Sequence, residues 1–184
     1  MFIQQLRPAL FHLAVLTVIT GLIYPLVPTA LASLIFPKQA HGSLITTNNK
    51  ITGSEWIGQA FDDPKYFWSR PSATSPGPYN AASSSGSNYG PFNPDLKKAI
   101  AERRTHYPAN PPMDLLTASA SGLDPHISPE AAHFQAERVA KTRNLPQRQI
   151  TALVNELTEP RQLGFLGDPR VNVLKLNLKL DQLK

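Results

Sequence analysis

The sequence predicts an α+β protein in which a single N-terminal transmembrane helix precedes one soluble domain with a mostly antiparallel sheet and about three helices. Three observations lead to this prediction. A long run near the N-terminus lacks charged residues, strand-like segments lie near both ends of the remaining chain, and three proline-led helix starts lie between them. This order indicates a sheet that joins the two ends of the soluble domain.

The N-terminal run predicts a membrane span. The thirty residues from Pro8 to Pro37 include no Asp, Glu, Lys or Arg. About 20 helical residues are enough to cross the hydrocarbon core of a bilayer. We therefore divide the chain into residues 1–37, a cytoplasmic stub with the transmembrane helix, and residues 38–184, one soluble domain long enough to close its own core.

The alternative for this run is a cleaved export signal. Ala30, Leu31 and Ala32 form the small-x-small pattern that precedes a cleavage site, here followed by Ser33. Cleavage after Ala32 would release a secreted binding protein or hydrolase. Signal peptides usually carry only about 7 to 15 apolar residues, so the length of the run favours a retained anchor.

Small or helix-kinking residues form a stripe along the predicted span. Ala14, Thr17, Gly21 and Pro25 recur at helical spacing on a background of Leu, Ile and Val. Such a stripe lets a second helix approach closely, so we expect these four residues to pack against a partner helix. The alternative is that Pro25 and Pro28 only end the helix.

The soluble domain begins with a predicted hairpin. Residues 43–47 and 50–53 read as strands, and Asn48 and Asn49 between them tolerate the positive φ angles of a tight turn. The next stretch, residues 69–94, contains 18 Ser, Pro, Gly or Asn residues among 26, a composition typical of a disordered linker. Aromatic residues at intervals within it, Tyr79, Tyr89 and Phe92, also allow an ordered, packed loop.

Three helix starts follow, each marked by a proline. Asn93 precedes Pro94 and Ser128 precedes Pro129, which places a capping side chain before a proline at the first helical position. The third helix is predicted to begin at Pro146, because apolar residues follow it at the i, i+3, i+4, i+7 spacing of a core stripe.

The chain ends in a segment that predicts a strand. From Val171 to Leu180, leucines alternate with Lys175, Asn177 and Lys179. Strict alternation of apolar and polar residues is typical of a half-buried strand with one polar face.

Composition excludes several classes of function. The absence of cysteine excludes thiol catalysis, disulfides and cysteine-based metal sites. The net charge of +5 is spread along the chain without blocks of like charge, which indicates a solvated surface and no nucleic-acid partner.

Local motifs for chemistry are weak. Asp124, His126 and His133 are metal-ligating residue types without further facing ligands, so we expect no metal site. Ser121 with Asp124 and His126 lacks the G-x-S-x-G context of a hydrolase nucleophile. The small residues from Ala118 to Gly122 lack the G-K-[ST] ending of a phosphate loop, and a turn is the simpler interpretation.

Five blocks of the soluble domain carry a more specific resemblance. They are residues 53–61, 66–73, 86–94, 115–129 and 169–177, and the fourth reads LLTASASGLDPHISP. Together with the single span, these blocks resemble the KdpC family, the small subunits of bacterial Kdp potassium-transporting ATPases. Trp56, Tyr89 and Ala120 depart from the family pattern; the loss of a glycine at position 120 weakens a phosphate-binding role for that turn.

The resemblance implies a function. It implies a non-catalytic accessory subunit of a high-affinity, ATP-driven potassium uptake complex, whose partners are a P-type ATPase catalytic subunit, a channel-like potassium-binding subunit and the lipid bilayer. It also implies a catalytic chaperone that raises the ATP affinity of the catalytic subunit, with ATP as a shared cofactor. Gln135, together with Ser121 and Gly122, is then the expected nucleotide contact.

The resemblance also implies a location. It places the chain in the inner (plasma) membrane as a single-pass protein with its soluble domain outside the cytoplasm. Charge does not decide the side, because Arg7 precedes the span while Lys38 and Lys50 follow it. ATP does not reach a domain on the outer side, so on that arrangement an effect on ATP affinity requires coupling through the anchor or through the subunit interface.

Overall fold

The computed structural model describes residues 2–47 and 49–183. These residues form two compact units, with the boundary between Leu44 and Ile45. Helices, short strands and antiparallel pairing occur together, which confirms the predicted α+β class with one candidate span.

The N-terminal unit is almost entirely helical. Helix α1 spans Phe2–Val18, a π-helical turn spans Ile19–Ile23, α2 spans Tyr24–Ile35 and the short α3 spans Pro37–Ala40. The stretch Gln4–Ile35, 32 residues long, has the length and composition needed to cross a membrane. The π-helical turn ends two residues before Pro25, which has no N–H to donate to the carbonyl of Gly21, and the wider turn accommodates this missing hydrogen bond.

The predicted hairpin is present. Strands β1 (Leu44–Thr47) and β2 (Lys50–Ser54) pair in a two-stranded sheet. Asn49 has a φ of +60°, as the turn interpretation requires, while Asn48 lies outside the described residues.

The three predicted helices are also present. They are α4 (Pro94–Arg104), α5 (Pro129–Arg143) and α6 (Gln147–Glu156). The Asn93 side chain accepts from Asp95 N at 2.8 Å, and the Ser128 side chain accepts from Ala131 N at 3.0 Å, so both predicted caps form. Pro146 lies one residue before the first helical position.

The described residues, 2–47 and 49–183, do not form one sheet that joins the two ends of the domain, so that prediction was wrong. Strands β3 (His126–Ile127), β4 (Thr158–Glu159) and β5 (Arg170–Asn172) form a separate antiparallel sheet in the order β3-β5-β4. Two of these strands are only two residues long, too short to show an alternating pattern in the sequence.

The terminal strand prediction from Val171 to Leu180 was also wrong beyond Asn172. The segment Val173–Leu180 is helix α7, and the Asn172 side chain caps it by accepting from Lys175 N at 3.1 Å. Leucine favours helices, and the buried residues Val173, Leu176 and Leu180 also follow helical spacing.

We call the second unit, which begins at Ile45, the soluble unit. Its core lies where α5, α6 and α7 meet. Val139, Val154, Leu176 and Leu180 are fully buried there, together with Phe67 from the irregular part of the chain. Burial of each such side chain contributes about 1.5–3 kcal/mol to stability. The stretch that contains Phe67 is therefore fixed to the helical core.

Candidate functional site

The turn from Ala118 to Gly122 is held by the proline- and serine-rich loop. The Ser121 carbonyl accepts from Ser85 N and Ser84 Oγ, both at 3.0 Å. The Ser72 hydroxyl donates to the Gly122 carbonyl at 2.7 Å. The loop that composition alone assigned to a linker is therefore an ordered structural element.

Gly122 is required by the geometry of this contact. Its φ is +68°, and a Cβ atom at this position would lie 2.6 Å from the Ser85 carbonyl oxygen and 2.6 Å from Thr74 Cγ2. An L-residue would be strained in this conformation and would also collide with backbone. The glycine allows two loop backbones to pack closely, and this packing accounts for its place in the turn.

Tyr79 anchors the same loop from inside. Its hydroxyl bonds to the Arg70 carbonyl, and its backbone N–H donates to the Ser72 hydroxyl at 3.0 Å. Burial raises the pKa of Tyr79 to about 12, so the phenol stays protonated and keeps its donor at any physiological pH.

Asp124 joins the turn to the sheet. Its carboxylate lies 3.1 Å from Arg70 Nη1 and accepts from His126 N at 3.0 Å. Burial opposes ionisation, but the hydrogen bonds from His126 and the charge of Arg70 outweigh it and lower the pKa of Asp124. The carboxylate thus stays charged and acts as a structural bridge.

The residues weighed for a hydrolase or metal site have other contacts. Ser121 Oγ accepts from Leu123 N at 3.1 Å, and Asp124 is paired with Arg70. His133 lies on α5 and lines a cleft that does not include Ser121, Asp124 or His126.

Two buried side-chain amides hold the backbone of Phe67 and Trp68; we call this arrangement the amide clamp. Asn177 Oδ1 accepts from Phe67 N at 2.9 Å, and Asn177 Nδ2 donates to the Phe67 carbonyl at 3.0 Å. On the next residue, Gln135 Oε1 accepts from Trp68 N at 2.8 Å, and Gln135 Nε2 donates to the Trp68 carbonyl at 3.1 Å. Each amide thus provides the hydrogen-bond acceptor and donor that the backbone of a neighbouring β-strand would otherwise provide.

Arg138 covers the clamp. Its guanidinium lies 3.9 Å from the centre of a Trp68 ring, and its Nη2 donates to Gln135 Oε1 at 2.8 Å. Burial lowers the pKa of Arg138 to about 10, so the group remains charged at neutral pH and strengthens the hydrogen bond to Gln135.

The predicted nucleotide residues therefore lie in two different settings. Gln135 is 1% exposed and borders a cleft of about 680 Å³ beside Tyr107 and Arg138. Ser121 and Gly122 belong to the turn that the proline- and serine-rich loop holds. Nucleotide contact by these residues stays a prediction. To contact a nucleotide, the Gln135 amide would have to give up its hydrogen bonds to the Trp68 backbone and form new ones to the nucleotide.

The predicted helix-packing stripe is exposed along its whole length. Ala14, Thr17, Gly21 and Pro25 are all solvent-accessible in this chain. Gly21 lies within the π-helical turn, and a Cβ placed there would meet no atom of the described residues within 4 Å. The chain itself thus leaves room for a larger side chain at this position.

Sequence reasoning missed the amide clamp, although a signal for it exists. Asn177 is a polar residue on the apolar face of a short leucine-rich helix, and a buried amide there needs partners. Those partners lie 110 residues earlier in the chain, so the sequence pattern does not identify them.

The five sequence blocks contact one another through hydrogen bonds and close packing between residues that are far apart in the chain. Asn172 Nδ2 donates to the Glu55 carbonyl at 2.8 Å, and Val173 N donates to the Pro125 carbonyl at 3.0 Å. The backbone of Gly86 lies against Ala120, with the Ala120 oxygen 2.5 Å from where a Cβ of Gly86 would be. The blocks therefore specify a frame of loops fixed to one another and to α7.

Comparison with known proteins shows which family this chain belongs to. A family model described as KdpC, K+-transporting ATPase, c chain, matches residues 6–182. The chain belongs to the KdpC family. A potassium-transporting ATPase KdpC subunit from Methylococcus capsulatus is 58% identical over 189 residues, covering 99% of this chain and 100% of that protein. Subunits of the same name from Dechloromonas aromatica and Herpetosiphon aurantiacus are 56% and 54% identical, and each alignment covers at least 96% of both chains.

Membership of the KdpC family confirms the resemblance drawn from the five blocks, and the match extends into the N-terminal helix. Together with the candidate span Gln4–Ile35, this membership indicates that the chain is membrane-associated.

Proposed function

We propose that this chain is the non-catalytic accessory subunit of an ATP-driven potassium uptake complex, bound to a P-type ATPase catalytic subunit and to a channel-like potassium-binding subunit. The observation that supports this proposal is the family match over residues 6–182, which includes both the apolar helix and the soluble unit. The helix would stabilise the assembly in the bilayer, and the rigid loop frame would present a fixed surface to the partners.

The finer part of the proposal concerns ATP. As a catalytic chaperone, the chain would raise the ATP affinity of the catalytic subunit. The Gln135 amide is bonded to Trp68 and Arg138, which favours coupling through subunit contacts over direct contact with nucleotide.

The test is potassium-stimulated ATP hydrolysis by the complex purified with and without this chain. We expect the KM for ATP to rise when the chain is absent, and re-addition of the chain to restore it. An unchanged KM would overturn the chaperone role. Labelling of this chain by an ATP photoprobe, reduced by excess ATP, would instead support direct contact through Gln135, Ser121 or Gly122.

We further propose that the soluble unit lies outside the cytoplasm. The chain has no native cysteine, so a Ser84→Cys variant offers one exposed thiol without background labelling. An impermeant thiol reagent should label it in intact spheroplasts; labelling only after lysis would place the unit in the cytoplasm. The intact mass of the same preparation tests the anchor, since cleavage after Ala32 would remove the first 32 residues and support the secreted alternative.

A further inference from the structure

A cavity of about 420 Å³ lies between the C-terminal end of α4 and the proline- and serine-rich loop. Its apolar walls include Trp68, Tyr107 and Leu115, and the Trp68 and Tyr107 rings meet edge to face with their centres 5.8 Å apart. A cavity of this size with apolar walls and a few polar groups is typical of a small-molecule site. We call it the arginine cavity, because Arg70 and Arg103 also line it.

Arg103 brings an unpaired positive charge to the arginine cavity. It lies in the last turn of α4, and its Nη1 donates to the Leu116 carbonyl at 2.7 Å, which fixes the guanidinium. Within the described residues, 2–47 and 49–183, its Nε and Nη2 have no hydrogen-bond acceptor and it forms no ion pair. A fixed guanidinium with open donors is suited to bind an anionic group.

Arg70 adds a second guanidinium with an open donor. Its Nη1 lies 3.1 Å from Asp124 Oδ2, so the charge of this arginine is already paired. Its Nε, however, is buried and has no hydrogen-bond partner in the part of the chain that the structure describes. A buried donor without an acceptor costs free energy, and an anionic oxygen beside this guanidinium would provide the acceptor after a small rotation of the side chain.

The charges around the arginine cavity favour an anion with a single negative charge. The pair of Arg70 and Asp124 is neutral as a whole, which leaves one positive charge, that of Arg103. The exposed Asp62 also lines the cavity, and the C-terminal end of α4 presents partly negative carbonyl groups. Both features oppose a second negative charge. A carboxylate therefore fits better than a phosphate group, which carries about two charges near neutral pH.

We propose that the arginine cavity binds a small organic carboxylate, whose charged group contacts Arg103 and Arg70 and whose apolar body packs against Trp68 and Tyr107. The Tyr107 hydroxyl forms no hydrogen bond within the described residues and offers a further donor. Burial raises the pKa of Tyr107, so the phenol stays protonated and able to donate to the anion.

The arginine cavity is distinct from the expected nucleotide contacts. Gln135 borders the larger cleft of about 680 Å³, and Ser121 and Gly122 line neither space. Tyr107 and His106 line both. The inference goes beyond the proposed function and does not depend on it, because every residue that carries it belongs to this chain.

Calorimetric titration of the purified full-length chain in nanodiscs tests the site with phenylacetate as the probe, after subtraction of the heat from empty nanodiscs. Phenylacetamide has the same shape without the charge, and benzylphosphonate carries two charges at about pH 8. We expect phenylacetate to bind with a Kd of about 1 mM or below, and each comparison compound to bind at least about tenfold more weakly. No measurable binding of phenylacetate, equal binding of phenylacetamide, or equal or tighter binding of benzylphosphonate would each overturn the inference.

Substitution of neighbouring arginines on α4 locates the binding. Arg103→Met removes the unpaired charge and should raise the Kd for phenylacetate about tenfold. Arg104→Met is the matched control and should leave the Kd unchanged, since Arg104 is exposed and does not line the cavity. Arg103→Met also loses the bond to Leu116, so the thermal midpoint without ligand checks its folding. Tyr107→Phe keeps the ring and should raise the Kd about threefold even if Arg103→Met does not fold. Unchanged affinity in Tyr107→Phe and in folded Arg103→Met would overturn the inference.

Discussion

Replacement of Asn177 by leucine is expected to lower the free energy of unfolding by about 2–5 kcal/mol, because it removes both hydrogen bonds to the buried Phe67 backbone. Leucine has the same number and branching of side-chain heavy atoms as asparagine, so the change leaves no cavity, and the main effect is the loss of the two hydrogen-bond partners. The Phe67 N–H and carbonyl would then be buried without compensation.

Denaturant unfolding of the full-length chain in detergent, followed by tryptophan fluorescence, measures this effect. Asn155→Leu on α6 is the matched control, since Asn155 is exposed and its replacement should change stability by less than about 0.5 kcal/mol. If the two variants are equally stable, the amide clamp is not a stabilising element. Gln135→Met should resemble Asn177→Leu, because it removes the equivalent pair of bonds at Trp68.

Replacement of Gly21 by leucine is expected to release the chain from the detergent-solubilised complex, with recovery of the assembled form reduced by at least about tenfold. A contact that loses about 1.4 kcal/mol gives such a change. The chain has open space around Gly21, so its own fold tolerates the leucine. A partner helix packed closely against the stripe of Ala14, Thr17, Gly21 and Pro25 would not tolerate it.

Co-purification of tagged complex measures the release, and circular dichroism of the variant checks that the helix is retained. Leu22→Phe adds bulk at the neighbouring residue, off the stripe, and should leave recovery unchanged. A complex that stays intact with Gly21→Leu would show that the stripe is only a feature of the helix.

The helices of the soluble unit were predictable because their starting signals are local. The Asn93 and Ser128 side chains cap backbone groups two and three residues away, so the relevant hydrogen bonds are encoded in adjacent sequence. The apolar run Pro8–Pro37 was readable for a similar reason, since length and composition alone decide whether a helix is long enough to span a bilayer.

The terminal segment shows where local pattern fails. Leucines at alternate positions fit a strand, but the segment from Val173 forms a helix because Asn172 caps it and because its buried residues face α5 and α6. Two-residue strands such as β3 and β4 give no periodic signal, so their pairing with β5 was also not predictable.

The sequence by itself determined the apolar helix, the capped helix starts, the hairpin near Asn49 and membership of the KdpC family. Tertiary structure alone decided the roles of Gln135, Asn177 and the loop of residues 69–94. These roles depend on hydrogen bonds between residues that are far apart in the chain, 67 residues for Gln135 and Trp68 and 110 for Asn177 and Phe67. A side-chain amide satisfies any buried backbone group that the fold brings to it, so its partner is fixed only once the chain has folded.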